Sequence, residues 1–499
     1  MDSPHCTRSG LQFSPYRTEE DFGVVKASLN ISQPIQEAFE QQWNADELGE
    51  PDDLDDFPLN SDDAVTSDLP PLDLPGPSTL PPDVIDKPAA LQTHQDLLPS
   101  NKDARKKAYR RKKKQEKRER DRAKLEHSLP SPKFKVRAAL SHKLAKVAHM
   151  RVRSNVVNLR AAQGAWIGVR ESAGQGPRSL ESLLAEGYDY KEWDGITPFV
   201  ITDEEDRIFV IFAGRPQDPS YEDDRLAADA VLEDTHAKLQ FGSNGCQVLP
   251  RPTNGCGKNR RGGFKTANVG ISYGGGQKAP GNLCHTKHNQ EVLRSFFQQP
   301  CIKRLATFAN SAFAFFAPKL HEYYRRTLEP LWKRNPHFKH NVPTCILPAA
   351  SINFGPKSVS YDHLDHNNLA GGLCSITAGG AFDPTKGGHI YLVNLRVIVE
   401  FPPGSTILIP SSVIRHGNIP IRAGETRTSF TQYAAGGLFR WVEYGFKTWH
   451  QLWETDRVHA LAELENRPKK WKEFLELFSK LDELESDHHA VRSRCYPIK

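Results

Sequence analysis

The chain has 499 residues, with 66 Lys and Arg against 61 Asp and Glu for a net charge of +5. No apolar run approaches the roughly 20 residues that span a bilayer. The opening MDSPHCTRSG lacks the charged-then-apolar pattern of a secretory signal, and no heptad or period of roughly 20–50 residues supports a coiled coil or a repeat array.

The near-balance of charge hides three blocks. Residues 1–100 carry 20 acids and 4 bases, residues 101–160 carry 22 bases and 5 acids, and the remainder sums to +4. The eight cysteines include no CxxC, which predicts reduced thiols of an intracellular protein rather than a disulfide framework.

In chain order, 1–100 reads as a disordered acidic region. Proline is dense in PPLDLPGPSTLPP, acids repel through 46–63, and apolar periodicity is absent, so little surface could be buried against chain entropy. Apolar residues set among acids in DDLDDFPL fit either a solvating tail or a transcriptional interaction segment. The run 102–124 holds 14 bases against 4 acids with no Gly or Pro. It reads as a basic helix serving as a nuclear-import signal, a nucleic-acid arm, or both. Pro130 and Pro132 break any continuation into a zipper. Leu140, Leu144, Val147 and Val156, set among bases, make roughly 135–160 a second amphipathic stretch of the basic helical region 101–160, which either docks on the body or extends the basic face.

From about 165 to 499 the texture is that of a globular domain. FVITDEEDRIFVIFAG (199–214) predicts a hairpin with a solvated acidic turn, and 220–240 and 288–333 predict helices. Between them GGFKTANVGISYGGGQKAPGN reads as a Gly-rich loop, but no phosphate loop, since no Lys-Ser/Thr follows Gly274–Gly276. Short strands fill 345–440, and 447–483 is helical. The expected fold is α+β, an antiparallel β core at 345–440 in a helical jacket.

Within the strands, His363-Leu364-Asp365, His416, and Arg427 with Ser429 fall in order. Two His and one carboxylate on one face of an octahedral ion leave open positions, the arrangement of non-haem Fe(II) oxygenases. Strand alternation puts His363 and Asp365 on one side, and Arg427 and Ser429 on one side, where a guanidinium could hold a carboxylate bidentately. A second H-x-D, His94-Gln95-Asp96, lies in the polar front, where no cavity is expected.

This order, with Gly387-Gly388-His389 before a strand and FPPGSTILIPSSVIRHGNIPIRAGETRTSF after it, resembles the Fe(II)- and 2-oxoglutarate-dependent dioxygenases over about 350–440. The resemblance implies a double-stranded β-helix, or jelly roll. It makes His363, Asp365 and His416 iron ligands, and Arg427 and Ser429 the binders of the far carboxylate of 2-oxoglutarate. The implied chemistry is oxidative decarboxylation to succinate coupled to hydroxylation. HLDHNN, with Asn368 five residues after His363, is similar to the H-x-D-x-x-N of the TET/JBP group, which has large fungal expansions. That likeness implies Asn368 as a base reader and 5-methylcytosine or thymine in DNA as substrate. The basic arm independently fits DNA or another nucleic acid as partner, with the nuclear import machinery, a nuclear location and no membrane.

A flipped base would need stacking aromatics, for which Tyr273, Phe354, Tyr361 and Tyr433 stand near the motifs, core packing being the other reading of each. Cys246, Cys256, Cys284, His285 and His288 do not fit the paired knuckles of a zinc site. Arg260 and Arg261 fit phosphate contacts or a plain loop, and His389 fits the iron side or the outer face of its strand. Two other functions compete: a protein side-chain hydroxylase of the same chemistry, and a non-catalytic DNA-associated protein.

Overall fold

The computed structural model describes residues 147–242, 262–274 and 277–493, with His5–Cys6, Gln12–Phe13 and Lys113. Of the two units into which the chain divides, the elements below belong to that of 1–65 with 127–499; in the other, 66–126, only Lys113 is described. Within 1–100 the described residues are one antiparallel pair, His5–Cys6 with Gln12–Phe13. The rest of the acidic region, the basic run apart from Lys113, Cys246, Cys256, Arg260 and Arg261 lie outside the described residues.

Thirteen of the described strands build two sheets. They are β1 (Ala148–Arg151), β2 (Asp189–Lys191), β3 (Phe199–Thr202), β4 (Ile208–Gly214), β5 (Thr266–Ser272), β6 (Gly281–Asn282), β7 (Ala349–Asn353), β8 (Cys374–Ala381), β9 (Ile390–Leu392), β10 (Val397–Val399), β11 (Thr406–Ile409), β12 (His416–Asn418) and β13 (Thr426–Tyr433). The large sheet runs β6-β5-β7-β13-β8-β11-β4-β3-β1 and the small one β12-β9-β10-β2. His363 pairs with His416 as an isolated bridge at the free edge of the small sheet. The protein is thus α+β, and from Ala349 to Tyr433 its extended segments change sheet at every step but that from β9 to β10. The first, eighth, third and sixth neighbour one another in the large sheet; the second (at His363), seventh, fourth and fifth do so in the small one.

β4 reads IFVIFAG and every residue is buried, the continuous apolar run of a strand covered on both faces. The helices are α1 (Leu180–Ala185), α2 (Tyr221–Lys238), α3 (Lys287–Gln298), α4 (Pro300–Phe316), α5 (Pro318–Arg334), α6 (Gly436–Glu443), α7 (Trp449–Thr455), α8 (Arg457–Leu475) and α9 (Leu484–Ser493). α4 packs across β4, β8 and β11. Pro300 and Pro318 open α4 and α5, where a missing N–H costs nothing, and so cut one long apolar pattern into separate helices. Among the described residues no helix is long and apolar enough to cross a membrane.

The structure departs from the sequence expectations in three places. The Gly-rich loop contains β5, whose TANVGIS pairs with β7 from Thr266↔Asn353 to Gly270↔Ala349; the flanking glycines mask a β-branched strand. The basic helical region gives way by Ala148 to β1, a parallel edge strand on β3, so the folded body reaches further toward the N-terminus than 165. The acidic turn is not all solvated. Asp203 is fully buried and accepts from Arg207 N at 3.0 Å, Arg207 Nε at 2.9 Å and Glu205 N at 3.0 Å. Its carboxylate organises the hairpin instead of facing water.

Candidate metal centre

His363 and His416 face each other across the two sequence segments. His363 N donates to His416 O and His416 N to His363 O, each at 3.0 Å, so the pair is a hydrogen-bonded rung whose side chains leave on one side. Their ring centroids are 4.5 Å apart. His363 Nδ1 donates to Tyr361 O at 2.8 Å and His416 Nδ1 to Ile414 O at 2.9 Å. A neutral imidazole that donates through one nitrogen keeps a lone pair on the other. Each ring is therefore oriented so that Nε2 is the atom that could hold a metal ion, the outer-sphere device common to metal-binding histidines.

Asp365 completes the set. Its Oδ1 lies 3.5 Å from His363 Nε2, and the ligand atoms of His363, Asp365 and His416 all lie within 4.8 Å of one another, each residue buried. Among the described residues no other group of three or more His, Cys, Asp or Glu side chains converges in this way. The backbone holds Asp365 from both sides: its N donates to Ser411 O at 2.9 Å, and its O accepts from Asn368 N at 2.8 Å. Two imidazole nitrogens and a carboxylate on one side, without thiolate, suit a divalent ion of the Fe(II) kind and leave part of its coordination sphere open.

Arg427 is 3% exposed on β13. Its Nη1 donates to Ser358 O at 3.0 Å, and that same carbonyl accepts from Asn418 Nδ2 at 3.3 Å. Asn418 is two residues beyond His416 on β12, so one carbonyl links the guanidinium to the strand that carries His416. Arg427 Nε has no hydrogen-bond partner, and among the described residues no carboxylate pairs with it. Burial pushes its pKa down to about 10, still far above neutrality, so the side chain stays a buried cation. Such a group calls for an anion, and a fork of N–H donors matches a carboxylate.

Ser429, two residues on and buried, accepts from Asn353 Nδ2 at 2.9 Å. Thr266 Oγ1 in turn donates to Asn353 Oδ1 at 3.3 Å. With its oxygen already accepting, Ser429 is left with a hydroxyl hydrogen to donate.

Asn368 sits in the turn after Asp365, its Nδ2 donating to Ser411 Oγ at 3.1 Å. Of the aromatic candidates, Tyr273 packs edge-on against Trp441 and Phe354 stacks on His236 at 5.2 Å, which is core packing. Tyr361 is half-buried and contributes the carbonyl that orients His363; Tyr433 ends β13, half-buried. His389 lies on the outer face of the small sheet, its Nε2 3.1 Å from Tyr190 Oη. His288 Nε2 bonds Lys238 O at 2.8 Å, and Cys284 is half-buried. Three residues beside the site were not singled out by the sequence pattern: Asn353, Asp362 and Arg415. Asp362 and Arg415 carry no signal there, and Asn353 has only a trace, as the polar end of an apolar strand.

No protein-family model matches the chain, and no curated protein does. Solved structures to which the chain shows some similarity include NgTET1 in complex with 5mC DNA, at 14% identity over 52% of this chain and 92% of that one, with a TM-score of 0.31. They also include an oxidoreductase of the 2OG-Fe(II) oxygenase family from Burkholderia pseudomallei, at 16% identity over 42% of this chain and 78% of that one, with a TM-score of 0.23. At such low similarity the side chains of this chain, not its neighbours, carry the chemistry.

Proposed function

We infer that the chain is an Fe(II)- and 2-oxoglutarate-dependent dioxygenase on a double-stranded β-helix, acting on a nucleic-acid base, 5-methylcytosine or thymine in DNA. The observation that carries the cofactor reading is a conjunction. A buried His363–Asp365–His416 set shares β12 with Asn418, which one carbonyl links to a buried arginine that no carboxylate among the described residues neutralises. The alternating strand order across the two sheets supports the β-helix.

Iron held by His363, Asp365 and His416 would supply oxygen activation coupled to decarboxylation of the 2-oxo acid. The protein's own part is to bind and orient. Arg427 would take the far carboxylate of 2-oxoglutarate through its fork, with the Ser429 hydroxyl donating beside it. That would anchor one end of the cosubstrate in the β13 wall. Asn368 keeps one amide hydrogen and Oδ1 for a base edge once Ser411 holds the other hydrogen.

Nucleic acid as substrate class, and a nuclear location, rest on the +17 of residues 101–160 and on the 102–124 run. The test begins with the full chain, Fe(II) and 2-oxoglutarate without oxygen. A charge-transfer absorption that needs both components, and that His363→Ala and Arg427→Ala each abolish, is expected. Succinate release with oxygen is then compared on duplexes holding 5-methylcytosine, thymine or unmodified cytosine, and on a peptide pool. Release stimulated by one modified base, and weakened by salt, supports the base-oxidising reading. Release on peptides alone transfers the same chemistry to a protein side chain. No iron binding and no band would leave a DNA-associated protein without this catalysis.

A further inference from the structure

Behind the metal triad lies an ion pair that the proposed chemistry does not use. Asp362 immediately precedes His363 and Arg415 immediately precedes His416, and strand alternation turns their side chains to the side opposite the two rings. Arg415 Nε donates to Asp362 Oδ2. Its Nη2 donates to Asp362 O at 3.2 Å and to Ser172 O at 2.8 Å, and its Nη1 to Glu171 Oε2 at 3.4 Å. The pair is mostly buried, the two side chains being 17% and 14% exposed.

Ser172 and Glu171 belong to a segment far from the strands in sequence, which runs along the outside of the metal loops. Gly168 N donates to His366 O and Gly174 N to Asp362 O, both at 2.7 Å, and Ala370 N donates to Trp166 O at 3.3 Å. The fit is close: a Cβ on Gly174 would lie 2.3 Å from Asp362 Oδ1. The outcome is a regular relation to the ligands. Asp362 beside His363, His366 beside Asp365 and Arg415 beside His416 are each bonded to residues 168–174.

We propose that residues 168–174, keyed by the Asp362–Arg415 pair, are a strap that holds the three metal ligands from behind and sets the metal affinity of the centre. The proposal rests on the metal-centre reading above. The physical reason is preorganisation. A rung of two histidines at a sheet edge is free to splay, and the Arg415 fork ties its two strands to each other and to the strap. Arg415 and Asp362 are positioning residues, since neither touches the metal. Partners of this outer kind typically change metal affinity by about 10- to 100-fold when removed.

The test titrates the full chain with Co(II) under nitrogen and follows the visible d–d absorption. Urea midpoints are read on the same samples, and Arg304→Ala, which breaks an ion-pair cluster with Asp218 and Asp224, serves as the stability control. Arg415→Ala is expected to weaken Co(II) binding by about 10- to 100-fold and to shift the absorption bands. Arg415→Lys, which keeps the charge and loses the fork, falls between it and wild type. Asp362→Asn, which keeps the shape, decides the matter if Arg415→Ala does not fold. Unchanged affinity and bands in these variants, or an equal loss in Arg304→Ala, overturns the strap while leaving the metal centre in place. A wild type that binds no Co(II) overturns both.

Discussion

Replacing Arg427 with Met separates its cost to the fold from its service to a ligand. The guanidinium is fully enclosed, and burial takes its pKa from its ordinary value down to about 10. At 1.36 kcal/mol per tenfold change this is a penalty on the charged form of about 3 kcal/mol. A base with a depressed folded pKa costs stability fully below that value, so the penalty is complete at pH 7 and is relieved only as pH rises above about 10. Met fills similar space without charge. The bond to Ser358 O is lost, worth about 1 kcal/mol, but that carbonyl keeps Asn418. Arg427→Met is therefore expected to raise the stability of the ligand-free protein by about 2 kcal/mol. The same change removes the cation that would meet the far carboxylate of 2-oxoglutarate, a loss of about 3 kcal/mol or about a hundredfold in affinity. Urea unfolding at pH 7, with and without 2-oxoglutarate and Mn(II), reads both quantities. A variant that is several kcal/mol less stable yet still stabilised by 2-oxoglutarate would refute the reasoning and make Arg427 a structural cation.

Ser429→Ala leaves Asn353 without its acceptor and is expected to weaken 2-oxoglutarate about fivefold, well short of Arg427→Met, in the same titration. His389 is fully buried, and desolvation lowers its pKa to about 4. Because Tyr190 donates to Glu400, its oxygen accepts from His389 Nε2, and Nδ1 has no partner for a second proton. Between about pH 6.5 and 4 the unfolded chain binds the proton that the native one refuses, so stability falls with pH across that window, by up to about 3 kcal/mol from this residue. His389→Gln should flatten the slope of urea midpoints between pH 7 and 4.5, and an unchanged slope would contradict it. Gly436→Ala would place a Cβ 1.6 Å from Trp166 O. A loss of about 3 kcal/mol in urea unfolding is expected, and an unchanged midpoint would show that the backbone there yields.

Several elements were legible because local chemistry determines them. The two-residue spacing of His363 and Asp365 needs only strand alternation. The apolar runs 199–202 and 208–214 could pair only as a hairpin, and Pro300 and Pro318 announce where α4 and α5 begin. The same locality produced the misreadings. β5 looked like a loop because its neighbours are glycines, while its strand character comes from β7, whose partner residues lie about eighty positions later. Asp203 looked solvated because acids cluster around it; what buries it is Arg207 together with Val156 N at 3.3 Å, from outside the hairpin.

By itself the sequence determined the donor set: two imidazoles, a carboxylate, an arginine and a serine in a fixed order, with spacings that permit one site. Residue types and short-range alternation suffice for that. Only the tertiary structure decided that Nδ1 of each histidine is taken by a backbone carbonyl, that Arg427 is buried with no counter-ion among the described residues, and that residues 168–174 bond to Asp362, His366 and Arg415. The last two depend on groups meeting across long stretches of chain, such as Arg415 with Ser172. Such meetings are set by how sheets and loops pack, and no pattern of neighbouring residues encodes them.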